Sequence, residues 1–174
     1  VSPRVVLVGL PAAGKTSAGR KLARRLGLPF ADSDALIEAR DGRTIPQIFL
    51  ESGEPVFRAL EADVIAEALA SFEGVLALGG GAVLSAETRT RLRECGGPVV
   101  HLATTVDAAV LLVRGGRGRP VLGNDPARRL AELETERAPL YAEVASVTVR
   151  SAGRPMMQIV EDLVAVVQPA ASES

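Results

Sequence analysis

A chain of 174 residues is long enough for one domain with a sizeable hydrophobic core. Its 47% hydrophobic and 24% charged residues exclude wholesale disorder. The 20 Lys+Arg nearly cancel the 21 Asp+Glu, which argues against a duplex nucleic-acid partner, because that needs a net basic face.

Short apolar runs at Val5–Val8, Leu28–Ala31, Val75–Leu78, Val99–Leu102 and Val147–Val149 read as strands. Amphipathic stretches separate them, among them Ser17–Leu26 and the series Phe57, Leu60, Val64, Ile65, Ala68, Leu69 and Phe72, which follows helical spacing. Five apolar strands alternating with helices predict a parallel sheet covered on both faces, a three-layer α/β/α fold. Functional residues in such folds gather at the carboxyl ends of the strands. Two segments resist the pattern. One is glycine- and arginine-rich, from about 115 to 125, and has the composition of a loop closing on an anion; the other is the polar tail 168–174, expected to be disordered.

No apolar run approaches the ~20 residues of a membrane span, so no membrane partner is expected. Val1–Arg4 lack the layout of a secretory signal, and a lone Cys95 suits a reducing compartment, so the expected location is cytoplasmic. The single histidine, His101, sits in an apolar run, which leaves neither a catalytic triad nor a His-based metal site. Chemistry falls to Asp, Glu, Lys, Arg and backbone amides.

After the first strand, Gly9-Leu10-Pro11-Ala12-Ala13-Gly14-Lys15-Thr16 satisfies G-x-x-x-x-G-K-[ST] in full. Such a loop turns backbone N–H groups toward phosphate oxygens, and the helix that follows offers its positive end. Lys15 adds a charge at the outer phosphates, and the Thr16 hydroxyl suits Mg²⁺. A nucleoside triphosphate is therefore the expected ligand. A guanine-reading N/T-K-x-D segment is absent, since no lysine follows Lys21. Asp32-Ser33-Asp34 ends the second strand, where two carboxylates suit a Mg²⁺ shell plus a hydroxyl acceptor; either also suits an N-cap of a helix over Ala35–Arg40. Gly79-Gly80-Gly81 after the third strand admits a ligand close to the backbone, or forms a sharp bend. Arg58 and Arg137 each have a bland alternative, an ion pair with Glu54 or Glu134.

Taken together these motifs resemble the shikimate kinase family, from Arg4 to about Val167. The phosphate loop, D-x-D at Asp32 and Asp34, G-E-x-x-F-R at Gly53–Arg58, the Gly79–Gly81 triplet, Arg119-Pro120 and R-x-P-L-Y at Arg137–Tyr141 occur in order. The resemblance implies a P-loop kinase domain over 1–167 with a mobile lid at about 115–125 and substrate-binding helices at about 33–61. It implies transfer of the γ-phosphoryl of ATP to the 3-hydroxyl of shikimate, with Mg²⁺ as cofactor, by a monomer.

The residue roles it implies are these. Ala12, Ala13, Gly14, Lys15, Thr16, Ser17, Arg119 and Arg154 serve ATP, with Arg154 against the adenine. Thr16, and Asp32 through water, serve the metal. Asp34 meets the reacting hydroxyl, so that Asp34, Lys15 and Arg119 form the catalytic set. Arg58, Arg137, Gly79, Gly80, Gly81, Phe49, Phe57 and Glu61 surround shikimate, with Ile45 beside them. The chain departs from the family's usual pattern at Ala12-Ala13, where glycine and serine are usual, and at Thr16-Ser17, which inverts the order of two hydroxyl residues while keeping the metal hydroxyl. A gluconate kinase of the same fold is the second reading, without a reason for both arginine motifs. A non-catalytic nucleotide-binding module is the third.

Overall fold

The computed structural model describes residues 1–114 and 123–168. Five parallel strands form one sheet in the order β2-β3-β1-β4-β5: β1 Val5–Val8, β2 Phe30–Asp32, β3 Val75–Ala77, β4 Val99–Ala103 and β5 Val147–Arg150. The helices are α1 Lys15–Leu26, α2 Ser33–Asp41, α3 Ile45–Ser52, α4 Glu54–Ser71, α5 Ala86–Glu94, α6 Val106–Arg114, α7 Pro126–Val144 and α8 Met156–Val167, with a 3-10 turn at Ala82–Leu84.

Alternation along β1 builds the two cores. Val5 and Leu7 face α1 and α8, joining Ala18, Leu22, Ile159 and Leu163. Val6 and Val8 face the opposite layer, with Ile65, Leu69, Leu92, Leu130 and Leu133 from α4, α5 and α7. Both faces of β1 and β3 are buried, as in parallel sheets covered by helices, while β2 is half-buried and β5 largely exposed. A smaller cluster of Ile37, Ile48, Phe57 and Val64 packs α2 and α3 on α4, over the span expected for substrate-binding helices.

Four strands match the apolar runs closely. The second begins two residues later than its run, at Phe30. Gly27, left-handed at φ 65°, caps α1, and the Leu28 N–H returns to the Ala23 carbonyl. Pro29 has no N–H to give the ladder, although its carbonyl accepts from Val75. Hydrophobicity was satisfied before the backbone was free to pair. The consequence is that Asp32 ends β2, in register with Ala77 of β3.

Residues 115–122, including Arg119 and most of the expected lid, and the tail beyond Gln168 lie outside the described residues. Asp125, at the lid's expected end, caps α7 by accepting from the Arg128 N–H at 3.2 Å.

Candidate active site

Strand order does the first work. β2, β3 and β1 are neighbours, so Asp32–Asp34, Gly79–Gly81 and the loop Gly9–Gly14 emerge side by side at one edge of the sheet. They enclose a cavity of about 100 Å³ lined by Ala12, Gly14, Lys15, Thr16, Ser17, Asp32, Asp34, Leu78, Gly79 and Gly80.

On the β1 side, Gly14 takes the left-handed conformation (φ 87°) as N-cap of α1, leaving the first N–H groups of that helix facing the cavity. Lys15 is buried, and its ammonium donates to the Gly9 and Leu10 carbonyls, 2.7 Å each, so the side chain folds back over the loop. Ala12 is the only described non-glycine residue with positive φ, at 63°. Ser151 at the end of β5 braces the loop from behind, donating to the Ala13 and Ala103 carbonyls at 3.2 Å.

On the β2 side, Asp32 does two things. One carboxylate oxygen accepts the Asp34 N–H at 2.9 Å, capping α2, and the other accepts the Thr16 hydroxyl at 2.7 Å. The helix-cap alternative is thus realised by Asp32, without removing it from the phosphate loop. A hydroxyl and a carboxylate form the hard-oxygen set that suits Mg²⁺, which binds few protein ligands and keeps phosphates and water. Among the described residues no group of three or more His, Cys, Asp or Glu is arranged to hold a metal ion.

The glycine triplet packs against charged groups. A Cβ on Gly79 would meet Asp34 Oδ1 at 2.7 Å and Glu61 Oε2 at 3.2 Å, and one on Gly81 would overlap the Arg58 guanidinium. Arg58 donates to Glu61 Oε1 at 2.8 Å and to Glu54 Oε1 at 3.3 Å. The surface pair with Glu54 exists, but the shorter contact is to a carboxylate only 3% exposed. Burial pushes the Glu61 carboxyl above the ordinary carboxylate range, and the charge on Asp34 adds to this, while Arg58 and Arg137 oppose it. Arg137 is also 3% exposed, and its Nε has no hydrogen-bond partner. The alternative pairing with Glu134 does not form. An orphaned buried donor costs about 1–3 kcal/mol, so a ligand able to accept from it has a ready place. The Phe49 and Phe57 rings meet at a tilt of 38° with centroids 4.7 Å apart, and Arg58 lies over the Phe57 ring at 5.1 Å. Ile45 packs on the same apolar cluster.

Arg154 stands apart from this assembly. It pairs with Asp162 at 2.8 Å and donates to the Arg150 carbonyl, beside β5 and α8. Arg119 lies outside the described residues.

Motif reading misses Ser33 and Tyr141. The buried Ser33 hydroxyl accepts the Gly79 N–H, and the Tyr141 hydroxyl donates to the Gly80 carbonyl. Tyr141 stood within a motif, yet nothing in its spacing pointed to Gly80.

A complete phosphate loop, adjacent carboxylates and, beside the glycine loop, a half-buried Arg58 with a buried Arg137 define on this sheet a P-loop kinase of small molecules. The shikimate kinase family model matches residues 11–168. The shikimate kinase of Frankia casuarinae is 51% identical over 165 residues, covering 95% of this chain and 72% of that protein. That of Rhodococcus jostii is 43% identical over 166 residues, 95% of this chain and 98% of its relative. The structure of the Acinetobacter baumannii shikimate kinase in complex with shikimate superposes with a TM-score of 0.89 at 37% identity, covering 96% and 93% of the two chains. This chain belongs to the shikimate kinase family.

Proposed function

We propose that this protein transfers the γ-phosphoryl group of ATP to the 3-hydroxyl of shikimate, giving shikimate 3-phosphate and ADP. The observation that carries this reading is the meeting at Gly79 of Asp34, from the phosphate-loop cavity, with Glu61, the partner of Arg58, close to a buried Arg137 whose Nε lacks an acceptor, a setting suited to a small carboxylated polyol.

The residue roles combine what the family resemblance implies with the chemistry of each side chain. The backbone of Ala12–Ser17 cradles the phosphates, and Lys15 exchanges its two loop carbonyls for phosphate oxygens. Thr16 directly, and Asp32 through water, would hold Mg²⁺, which when bound neutralises charge on the β- and γ-phosphates. Asp34 orients the acceptor hydroxyl and takes its proton as the new O–P bond forms. Arg58 and Arg137 grip the shikimate carboxylate, where planar guanidinium groups suit it well, and Arg137 Nε gains its missing acceptor. The Gly79–Gly81 loop brings the Gly80 and Gly81 amides to the hydroxyls, the Gly79 N–H being held by Ser33, and Phe49 and Phe57 with Glu61 wall the pocket. Arg119, from a lid over about 115–125, completes phosphate neutralisation, and Arg154 lies against the adenine. The unit is one kinase domain over 1–167, acting as a cytoplasmic monomer.

A coupled ADP-release assay with shikimate, gluconate and no acceptor tests the reading. Turnover should require shikimate and vanish in Lys15→Ala at unchanged circular dichroism. Equal turnover on gluconate would overturn the assignment, and ADP release independent of acceptor would leave only an ATPase.

A further inference from the structure

The substrate roles above leave Tyr141 unused, although it is among the most buried side chains in the protein, at 1% exposure. A buried phenol hydroxyl has one proton to give and lone pairs to offer. The proton goes to the Gly80 carbonyl at 2.6 Å. Arg137 lies four residues back on α7, one helical turn away; burial pushes the phenol up, and the charge of Arg137 and a hydrogen bond with it oppose that. The ring lies on His101 of β4, centroids 4.9 Å apart at 28°. His101 in turn is in register with Val8, the last residue before the phosphate loop.

The glycine loop is otherwise tied at both ends. Ser33 takes the Gly79 N–H, and the Gly79 and Gly81 carbonyls accept from Ala82 and Leu84 at 3.1 Å. The peptide plane joining Gly80 to Gly81 is held by the Tyr141 contact alone among these. Because a peptide is planar and trans, fixing its carbonyl also fixes where the Gly81 N–H points.

We propose that Tyr141 is a positioning residue for substrate: its single hydroxyl sets Arg137 and the Gly80–Gly81 peptide in one geometry, so that a guanidinium and a backbone amide meet the acceptor together. The ring's stack on His101 references that geometry to the strand behind the phosphate loop. This inference rests on the shikimate reading of the pocket.

Tyr141→Phe keeps the ring, the stack and the apolar burial, and removes only the oxygen. The KM for shikimate should rise roughly 10-fold, as for loss of one well-made hydrogen bond, with the KM for ATP within twofold. The preference for shikimate over its neutral carboxamide should shrink by a similar factor, because Arg137 is no longer held. His101→Phe, which preserves a stacked ring and leaves the hydroxyl in place, should keep the parent's shikimate KM. A shikimate KM within twofold of the parent in Tyr141→Phe would overturn the proposal. So would an equal rise for both substrates, or failure of the Phe variant to fold, each of which would make Tyr141 a structural residue only. A parent that itself shows no shikimate-dependent turnover would instead remove the underlying reading.

Discussion

Ser33 Oγ accepts the Gly79 N–H at 2.9 Å, joining the ends of β2 and β3 across 46 positions of sequence. Ser33 is wholly buried between the two aspartates, so this bond sets the spacing between the acidic loop and the glycine loop. Ser33→Ala leaves the Gly79 N–H without a partner, at a cost of about 1–3 kcal/mol. Urea unfolding should show that loss, together with a lower kcat at normal ATP affinity. An unchanged midpoint would mean that water replaces the hydroxyl.

Asp34 should matter to chemistry more than to binding. Asp34→Asn keeps the shape and removes the base, and kcat should fall roughly 10²–10⁴-fold with little change in either KM. Steady-state kinetics decide the point. A small change in all constants would leave Asp34 as no more than a member of the first turn of α2.

Arg58 and Arg137 should behave as one carboxylate clamp although 79 positions separate them. Arg→Ala at either removes a charge-assisted hydrogen bond of about 1.5–3 kcal/mol, raising the KM for shikimate roughly 10- to 150-fold. The double variant should scarcely distinguish shikimate from its carboxamide. Retained preference for the acid in that variant would count against the clamp.

Glu61 makes stability depend on pH in a direction opposite to that of an ordinary ion-paired carboxylate. Its carboxyl sits above its free value of 4.5, chiefly through burial. The folded state therefore binds the proton more tightly than the unfolded chain. The stabilisation is complete below about 4.5 and is lost as pH rises through the raised folded value. Relative to Glu61→Gln, the parent should lose melting temperature as pH is raised from 4 toward neutrality. A parent that gains on the variant over this range would show that Arg58 outweighs burial.

Ala12 offers a test of backbone conformation inside the phosphate loop. Holding alanine at φ 63° costs about 1–2 kcal/mol. Ala12→Gly relieves this, but loses a buried methyl worth about 0.8 kcal/mol and adds unfolded-state freedom worth about 0.4–1 kcal/mol. The terms nearly cancel, so stability should change by less than about 1 kcal/mol. Ala13→Gly has no positive φ to relieve, and should destabilise by about 1–2 kcal/mol. Equal losses at both positions, measured by thermal unfolding, would show that Ala12 is unstrained.

The sheet was legible because its central strands β1 and β3 are apolar on both faces, and the cavity because its loops carry fixed spacings. Phe30, by contrast, starts β2 late for a backbone reason, the cap at Gly27 followed by Pro29, which hydrophobicity does not register. Arg137 illustrates a different limit. Glu134 stands at pairing distance in sequence, yet the arginine is buried and that pair does not form, which a helical spacing alone does not register. Ser33 and Tyr141 were invisible as supports because their partners are backbone groups 46 and 61 positions away. No spacing rule connects a side chain to a distant amide.

The chain contains one tyrosine and no tryptophan. The phenol that bonds Gly80 is consequently the protein's principal ultraviolet chromophore, and its emission needs no label to be assigned. It lies against Arg137 on one side and His101 on the other, where a changed hydrogen bond or a nearby anion alters its quantum yield. Titrating substrate while exciting near 280 nm thus reports from inside the pocket itself, and a stopped-flow trace would time the pocket's rearrangement separately from phosphoryl transfer.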